Sequence, residues 1–281
     1  MSIHEMLIPK GNGKFRRICV PDASTKHRMR AAIPGLLSDG AALLANEHVQ
    51  GFMPGRSPVT NALLHVGFEY SLCMDLSDFF DSVTVEHFVS CPPYRNCRQL
   101  LHNLRAAQGL PTSPILANIA AANGFDQRIL GQLPGLGVYT RYADDITFSH
   151  DSLDVVRLAQ HEIAQAAIAC FFTINESKTH IQCATAGRRI ITGVAVDRDG
   201  IYPTRATLRK LRAARHNGNT AAARGLAEWA ALKPPNLARV VAKLRDNNRH
   251  YLQVWGGINP TIKAALSLLD AADGGKTPRT A

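Results

Sequence analysis

Two β-prone runs, residues 138–141 and 146–149, flank Tyr142-Ala143-Asp144-Asp145, which places two adjacent carboxylates at a hairpin turn. A further strand expected over residues 71–76 carries Asp75 at its end. Carboxylates from two segments far apart in sequence can therefore meet at one end of a sheet. Clustered acids raise each other's pKa unless cations offset them. Two divalent ions roughly 3.5–4 Å apart would do so, and would stabilise both the attacking and the leaving oxygen of an in-line phosphoryl displacement. Asp-Asp is also an ordinary turn sequence, so the pair alone decides nothing.

Charge along the chain is uneven. The 281 residues carry 32 Lys and Arg against 22 Asp and Glu, a net +10. Up to Thr204 the two signs balance, and the excess lies beyond it. A neutral body with a basic end suits a polyanion partner, and equally a solvated surface. With 46% hydrophobic and 19% charged residues, disordered, collagen-like and coiled-coil readings fail. The six cysteines form no Cys-x-x-Cys pair, and the first ten residues do not read as a signal peptide. A soluble cytoplasmic protein with no membrane partner is expected.

Residues 7–22 read as a hairpin around Lys10-Gly-Asn-Gly-Lys14, residues 23–46 as helix, and Gly51-Phe-Met-Pro-Gly-Arg-Ser-Pro58 as a loop before a helix at 59–65. Helices are expected at 95–107, 115–130 and 153–170, strands at 171–175 and 190–196, and interrupted helices from Thr204 onward.

Taken in order, Met74-Asp-Leu-Ser-Asp-Phe-Phe-Asp81, Gln108-Gly-Leu-Pro-Thr-Ser-Pro-Ile-Leu-Ala-Asn118 and Tyr142-Ala-Asp-Asp145 resemble the palm motifs of reverse transcriptases. The hairpin and Gly51-Phe-Met-Pro-Gly-Arg56 resemble their fingers motifs. Asn61-Ala-Leu-Leu-His65 and Ile191-Thr-Gly193 resemble two signatures of the bacterial retron type, with Ile replacing Val in the second. The resemblance covers residues 7–217 and implies an α+β right-hand polymerase. Fingers and palm, an antiparallel sheet plus helices, would interleave over 1–204, with a basic helical thumb over 205–272 and a flexible tail over 273–281. Leu110 departs from the family's usual Ala, the 81–108 stretch is compact, and the N-terminal helical segment of many relatives looks shortened or absent.

By this resemblance Asp75, Asp144 and Asp145, with the Leu76 carbonyl, hold two Mg²⁺ ions, Mn²⁺ being possible. Lys10, Lys14 and Arg16 reach the triphosphate, since guanidinium forks and ammonium charges match phosphate oxygens. Asp78, Phe79, Phe80, Gln108 and Gly109 line the nucleotide pocket, Phe80 excluding a 2′-hydroxyl, and Lys178 protonates the leaving pyrophosphate. Arg56, Asn61, His65 and Tyr142 contact RNA or DNA. So does a stripe of Arg205, Arg209, Arg212 and His216, with Leu208 and Leu211 on another stripe. Arg239, Lys243, Arg245, Arg249, Tyr251 and Trp255 add further RNA contacts. The residues alone leave Phe80 open as a core side chain, His65 as a structural histidine and each exposed cation as solvated surface.

The implied substrates are deoxynucleoside triphosphates and a cognate structured non-coding RNA, copied from an internal guanosine 2′-hydroxyl into a branched multicopy DNA–RNA hybrid. Host ribonuclease H and a separate anti-phage effector protein are the further implied partners. The alternatives are a group II intron-like or diversity-generating reverse transcriptase, and an RNA-binding scaffold whose activity has lapsed.

Overall fold

The structure, a computed structural model, describes residues 2–11, 13–89, 91 and 97–233. The cations and aromatics expected to bind RNA over 239–255, most of the expected thumb and the tail lie outside them. An antiparallel ribbon opens the chain, β1 (Ile3–Gly11) against β2 (Lys14–Pro21), with Ile3 opposite Pro21. Asp22 then caps α1 (Ala23–Asp39), its carboxylate accepting from the Thr25 amide at 2.6 Å and so satisfying an otherwise orphaned helical donor. After α2 (Ala41–Leu44), a reciprocal Ser57–Thr60 capping box starts α3 (Pro58–Leu63).

There follow β3 (Tyr70–Asp75), α4 (Phe79–Ser82), α5 (Ser113–Ala121), α6 (Gln127–Gln132), β4 (Val138–Tyr142), β5 (Asp145–His150) and α7 (Leu153–Ala169). The described chain ends with β6 (His180–Cys183), β7 (Arg189–Ile191), β8 (Val194–Val196), β9 (Ile201–Pro203), α8 (Arg205–His216) and α9 (Thr220–Ala230). The strands form three sheets, β1-β2, β4-β5-β3-β6 and β7-β8-β9.

Packing divides the chain into two compact units. One comprises Met1–Phe52, Met74–Ile146 and Arg157–Thr179, the other Met53–Cys73, Thr147–Val156 and the chain from His180. In the first, Leu110 is buried with Cys19, Met29 and Ala107 beneath the ribbon, so the atypical leucine fills a core. In the second, α3 packs on the β7-β8-β9 sheet, and Val59, Leu63, Val66, Ile191, Val194 and Ile201 form the core, with Trp229 against it. None of the six cysteines is in a disulfide. No helix of the described residues is long and apolar enough to cross a membrane.

Three expectations are corrected. Residues 190–196 are not one strand, because Thr192 and Gly193 take φ of +45° and +81° and turn the chain from β7 into β8, the twist-compatible geometry of a tight hairpin. Residues 97–107 are not a helix: after a 3₁₀ turn at 97–100, Asn103 and Leu104 enter the left-handed region and His102 pairs back with Arg105. Residues 171–175 make a single bridge, Ile174 with Leu76, after a left-handed Phe171. Phe79 and Phe80 lie on α4, where Asp78 at φ +46° turns the chain into a helix. The helix expected over 115–130 forms, interrupted by a π stretch at Ala122–Asp126.

Candidate active site

In the first unit, Asp75 ends β3 and the β4–β5 turn carries Asp144 and Asp145. Backbone bonds fix both segments. The Leu76 amide donates to the Asp144 carbonyl at 3.0 Å, and the Asn175 amide to the Asp75 carbonyl at 2.8 Å. The buried Asp75 carboxylate accepts from Lys178 Nζ at 2.7 Å and from Asn175 Nδ2 at 3.2 Å. This bond holds Lys178 above its ordinary pKa.

Burial, and after it the Asp75 charge, raise Asp144. Burial followed by the charges of Asp144 and Asp75 pushes Asp145 up to about 6. The acids thus carry more negative charge than the one ammonium bonded there offsets, and all their donor atoms are hard oxygens. That donor set fits divalent cations such as Mg²⁺. The three carboxylates are not drawn into one tight cluster. Among the described residues only Glu5, Cys19 and His102 bring three ligand atoms within 4.8 Å of one another. There Glu5 is already engaged by His102 at 3.1 Å and Arg17 at 3.7 Å, and burial raises the Cys19 thiol.

The expected nucleotide residues fall differently. Arg16 is exposed on β2, and its charge reaches Asp144. Lys10 lies 4.0 Å from Asp78, while the side chain of Lys14 is outside the described residues. Phe79 is no pocket residue: its ring is buried, 5.8 Å from that of Phe172 and beneath the Arg141 guanidinium. Phe80 is half-buried, with its ring 5.8 Å from the exposed Phe52. Gln108 and Gly109 dock on β2. The Gln108 carbonyl accepts from the Cys19 amide at 2.7 Å, and Gly109, at φ +103°, lies so close that an added Cβ would sit 2.4 Å from the Cys19 carbonyl oxygen. Only glycine fits there.

Behind the turn lies a buried network that motif reading missed. Arg141 and Asp126 are both fully buried and paired through Nε and Nη2, the shortest bond being 2.7 Å. Tyr139 donates to the same carboxylate at 2.7 Å. Burial pushes Asp126 up, but the Arg141 charge and hydrogen bonds outweigh it and hold the carboxyl below its usual range. Arg141 Nη1 reaches the Asn118 Oδ1 at 3.0 Å and the Ala143 carbonyl at 3.2 Å. A charged residue inside a β-prone run was the available signal, since such a residue is buried only when paired.

A model of the reverse transcriptase (RNA-dependent DNA polymerase) family matches residues 8–195. The chain belongs to the reverse transcriptase family. Among curated proteins this reverse transcriptase chain is 32% identical over 218 residues to the retron Mx65 reverse transcriptase of Myxococcus xanthus, covering 68% of this chain and 50% of that one. It is 30% identical over 177 residues to the retron Ec86 reverse transcriptase of Escherichia coli, covering 59% and 55%. The chain thus spans about half the length of these relatives. Among solved structures it resembles telomerase of Candida albicans, with a TM-score of 0.54 at 12% identity over 89% of this chain and 54% of that one. It also resembles apo telomerase of Candida tropicalis, at 0.52 and 14% over 68% and 52%. These likenesses show the right-hand polymerase fold.

The residues expected to touch nucleic acid in this reverse transcriptase divide into two groups. On α8, Arg205, Arg209, Arg212 and His216 are exposed, opposite the buried Thr207, Leu211 and Ala214. Leu208 is more exposed than Leu211, which lies three residues further along the same helix. Arg56 is half-buried before α3, and Tyr142 half-buried beside the aspartates. Asn61 and His65, by contrast, present no surface to RNA, since both are buried. Asn61 Nδ2 donates to Thr192 Oγ1 at 3.3 Å, and His65 Nδ1 lies 2.8 Å from Ser149 Oγ. Ser149 Oγ is 2.6 Å from Ser71 Oγ, which accepts from Arg189 Nη1 at 2.7 Å, and Arg189 Nη2 donates to the His65 carbonyl at 3.0 Å.

Burial and the Arg189 charge lower the His65 pKa from 6.5 to about 3. Between those values the unfolded state binds a proton that the folded state excludes. The stability this residue contributes is therefore complete above pH 6.5 and drains away as pH falls towards 3. At ~1.4 kcal/mol per unit, lowering the pH from 7 to 5 costs about 2 kcal/mol through His65. Urea unfolding of wild type and His65→Gln at both pH values tests this. The variant is expected to lose about that much less on acidification, and equal losses would exclude a buried neutral imidazole.

Proposed function

We propose that this chain carries an RNA-directed DNA polymerase activity of the retron kind, copying a cognate structured non-coding RNA into single-stranded DNA. The observation that supports it most is the convergence of Asp75 with Asp144 and Asp145, joined through the Leu76–Asp144 backbone bond. Two divalent cations held by these carboxylates and the Leu76 carbonyl, Mg²⁺ with Mn²⁺ as substitute, would activate the primer hydroxyl and offset charge on the triphosphate. Lys10 and Arg16 hold the phosphates of the deoxynucleotide. Gln108 and Gly109 shape the pocket where their backbone meets β2. Lys178, already charged beside Asp75, supplies a proton to the departing pyrophosphate. Arg205, Arg209, Arg212 and His216 grip the phosphate backbone of the growing duplex, as a thumb following interleaved fingers and palm.

Phe80 closes the pocket against a 2′-hydroxyl. Phe80→Val is expected to raise ribonucleotide over deoxynucleotide incorporation at least about tenfold, ~1.4 kcal/mol of discrimination. An unchanged ratio in single-nucleotide extension removes Phe80 from that role.

In the retron manner, synthesis starts from an internal guanosine 2′-hydroxyl of the RNA and yields a branched RNA–DNA molecule. Host ribonuclease H trims the template, and a separate effector links the product to anti-phage defence in the cytoplasm. The deciding experiment expresses the protein with its flanking DNA and looks for a discrete DNA joined to RNA by a debranching-sensitive linkage. If none forms, yet purified protein extends an annealed primer on RNA with Mg²⁺, the polymerase stands and the retron assignment falls.

A further inference from the structure

Asn118 closes the Gln108–Asn118 motif, yet none of the roles above uses it. It lies on α5 and is fully buried. Its Oδ1 accepts from Arg141 Nη1 at 3.0 Å, and its Nδ2 donates to the Gly51 carbonyl at 2.7 Å. Only one orientation of the amide satisfies both neighbours, because the flipped one would set oxygen against the Gly51 carbonyl and NH₂ against the guanidinium. The two bonds link a rigid part to a critical one. Arg141 is immobilised by its paired contacts to Asp126, and the same Nη1 donates to the Ala143 carbonyl. Gly51, at the far end of the amide, lies so close to the turn that a Cβ built on it would fall 2.3 Å from the Ala143 nitrogen. The next two residues are Asp144 and Asp145.

We propose that Asn118 is a positioning residue for the catalytic turn. It transmits the fixed geometry of the Arg141–Asp126 pair to Gly51, whose bare Cα seats the Ala143 peptide, and thereby sets how Asp144 and Asp145 present their oxygens to divalent cations. This rests on the two-cation reading of those aspartates. Asn118 touches neither cation nor substrate, so its removal acts through the spacing of the carboxylates. Weaker cation binding is the consequence, not a weaker hold on nucleotide.

The test compares the full chain with Asn118→Asp, which keeps the shape and loses the donor to Gly51. Asn118→Ser, which leaves space in place of a charge, carries the test should the first fail to fold. Free Mn²⁺ is followed by electron paramagnetic resonance as it is titrated into protein, and primer extension is measured against Mg²⁺ concentration. The expected result is about a tenfold rise in the Mn²⁺ dissociation constant and a matching rise in the Mg²⁺ midpoint. The KM for deoxynucleotide at saturating metal should stay within about threefold. A purely structural loss would lower the number of binding-competent molecules and the activity plateau at unchanged midpoints, and that result overturns the proposal. So does a folded variant with wild-type Mn²⁺ affinity. Wild type that binds Mn²⁺ but extends no primer removes the polymerase reading alone.

Discussion

Changing Asp144 and Asp145 together to Asn is expected to reduce primer extension at least about 10³-fold, ~4 kcal/mol of barrier, while RNA binding stays within about threefold. The reasoning is electrostatic. Asp145 is pushed to about 6 by its own burial and then by Asp144 and Asp75, so the folded chain keeps these acids together against their repulsion. Amides preserve shape and remove the anionic donors. The Arg205, Arg209, Arg212 and His216 stripe on α8 is untouched by the change, so a gel shift with structured RNA should be preserved. Extension above a tenth of the wild-type rate would sink the catalytic role of the pair.

Gly51→Ala should be nearly as damaging, although it alters no charge and no proposed ligand. The added methyl would meet the Ala143 nitrogen at 2.3 Å, the Tyr142 carbonyl carbon at 2.9 Å and the Ala143 Cα at 3.2 Å. All three are backbone atoms, so no flexible side chain can yield. Either the turn or the 48–51 segment must shift by about 1 Å, a displacement that costs on the order of 10²-fold where reacting groups are held at contact distance. Steady-state extension with Gly51→Ala should therefore show kcat down about a hundredfold in protein that still unfolds cooperatively. A wild-type rate would mean the turn tolerates the methyl.

The proposed catalytic aspartates are legible in the sequence because a turn between two β-prone runs is local information, and because the proposed chemistry calls for carboxylates there. The ribbon is legible for the same local reason. What escaped was set by tertiary contact. Arg141 and Asp126 are fifteen residues apart, on a strand and at the end of a π stretch, and no periodicity announces that they share a buried site. Leu104 and Phe171 adopt positive φ without being glycine, so the departures they make from the expected helix and strand carry no compositional mark. Asn61 and His65 stand four residues apart, the spacing of one helix face, but that spacing does not say that the face turns inward.

The turn between β7 and β8 bears on how such chains can be recombined. Thr192, a β-branched residue at φ +45°, occupies a conformation that normally excludes it. Its hydroxyl donates to the Pro58 carbonyl at 3.2 Å and accepts from Asn61, so two segments some 130 residues apart in sequence form one hydrogen-bonded part. A chimera that takes either segment from a relative without the other would separate the strained residue from what holds it. Domain shuffling in this family should therefore find viable crossovers where 58–65 and 189–196 come from the same parent, and few where they do not.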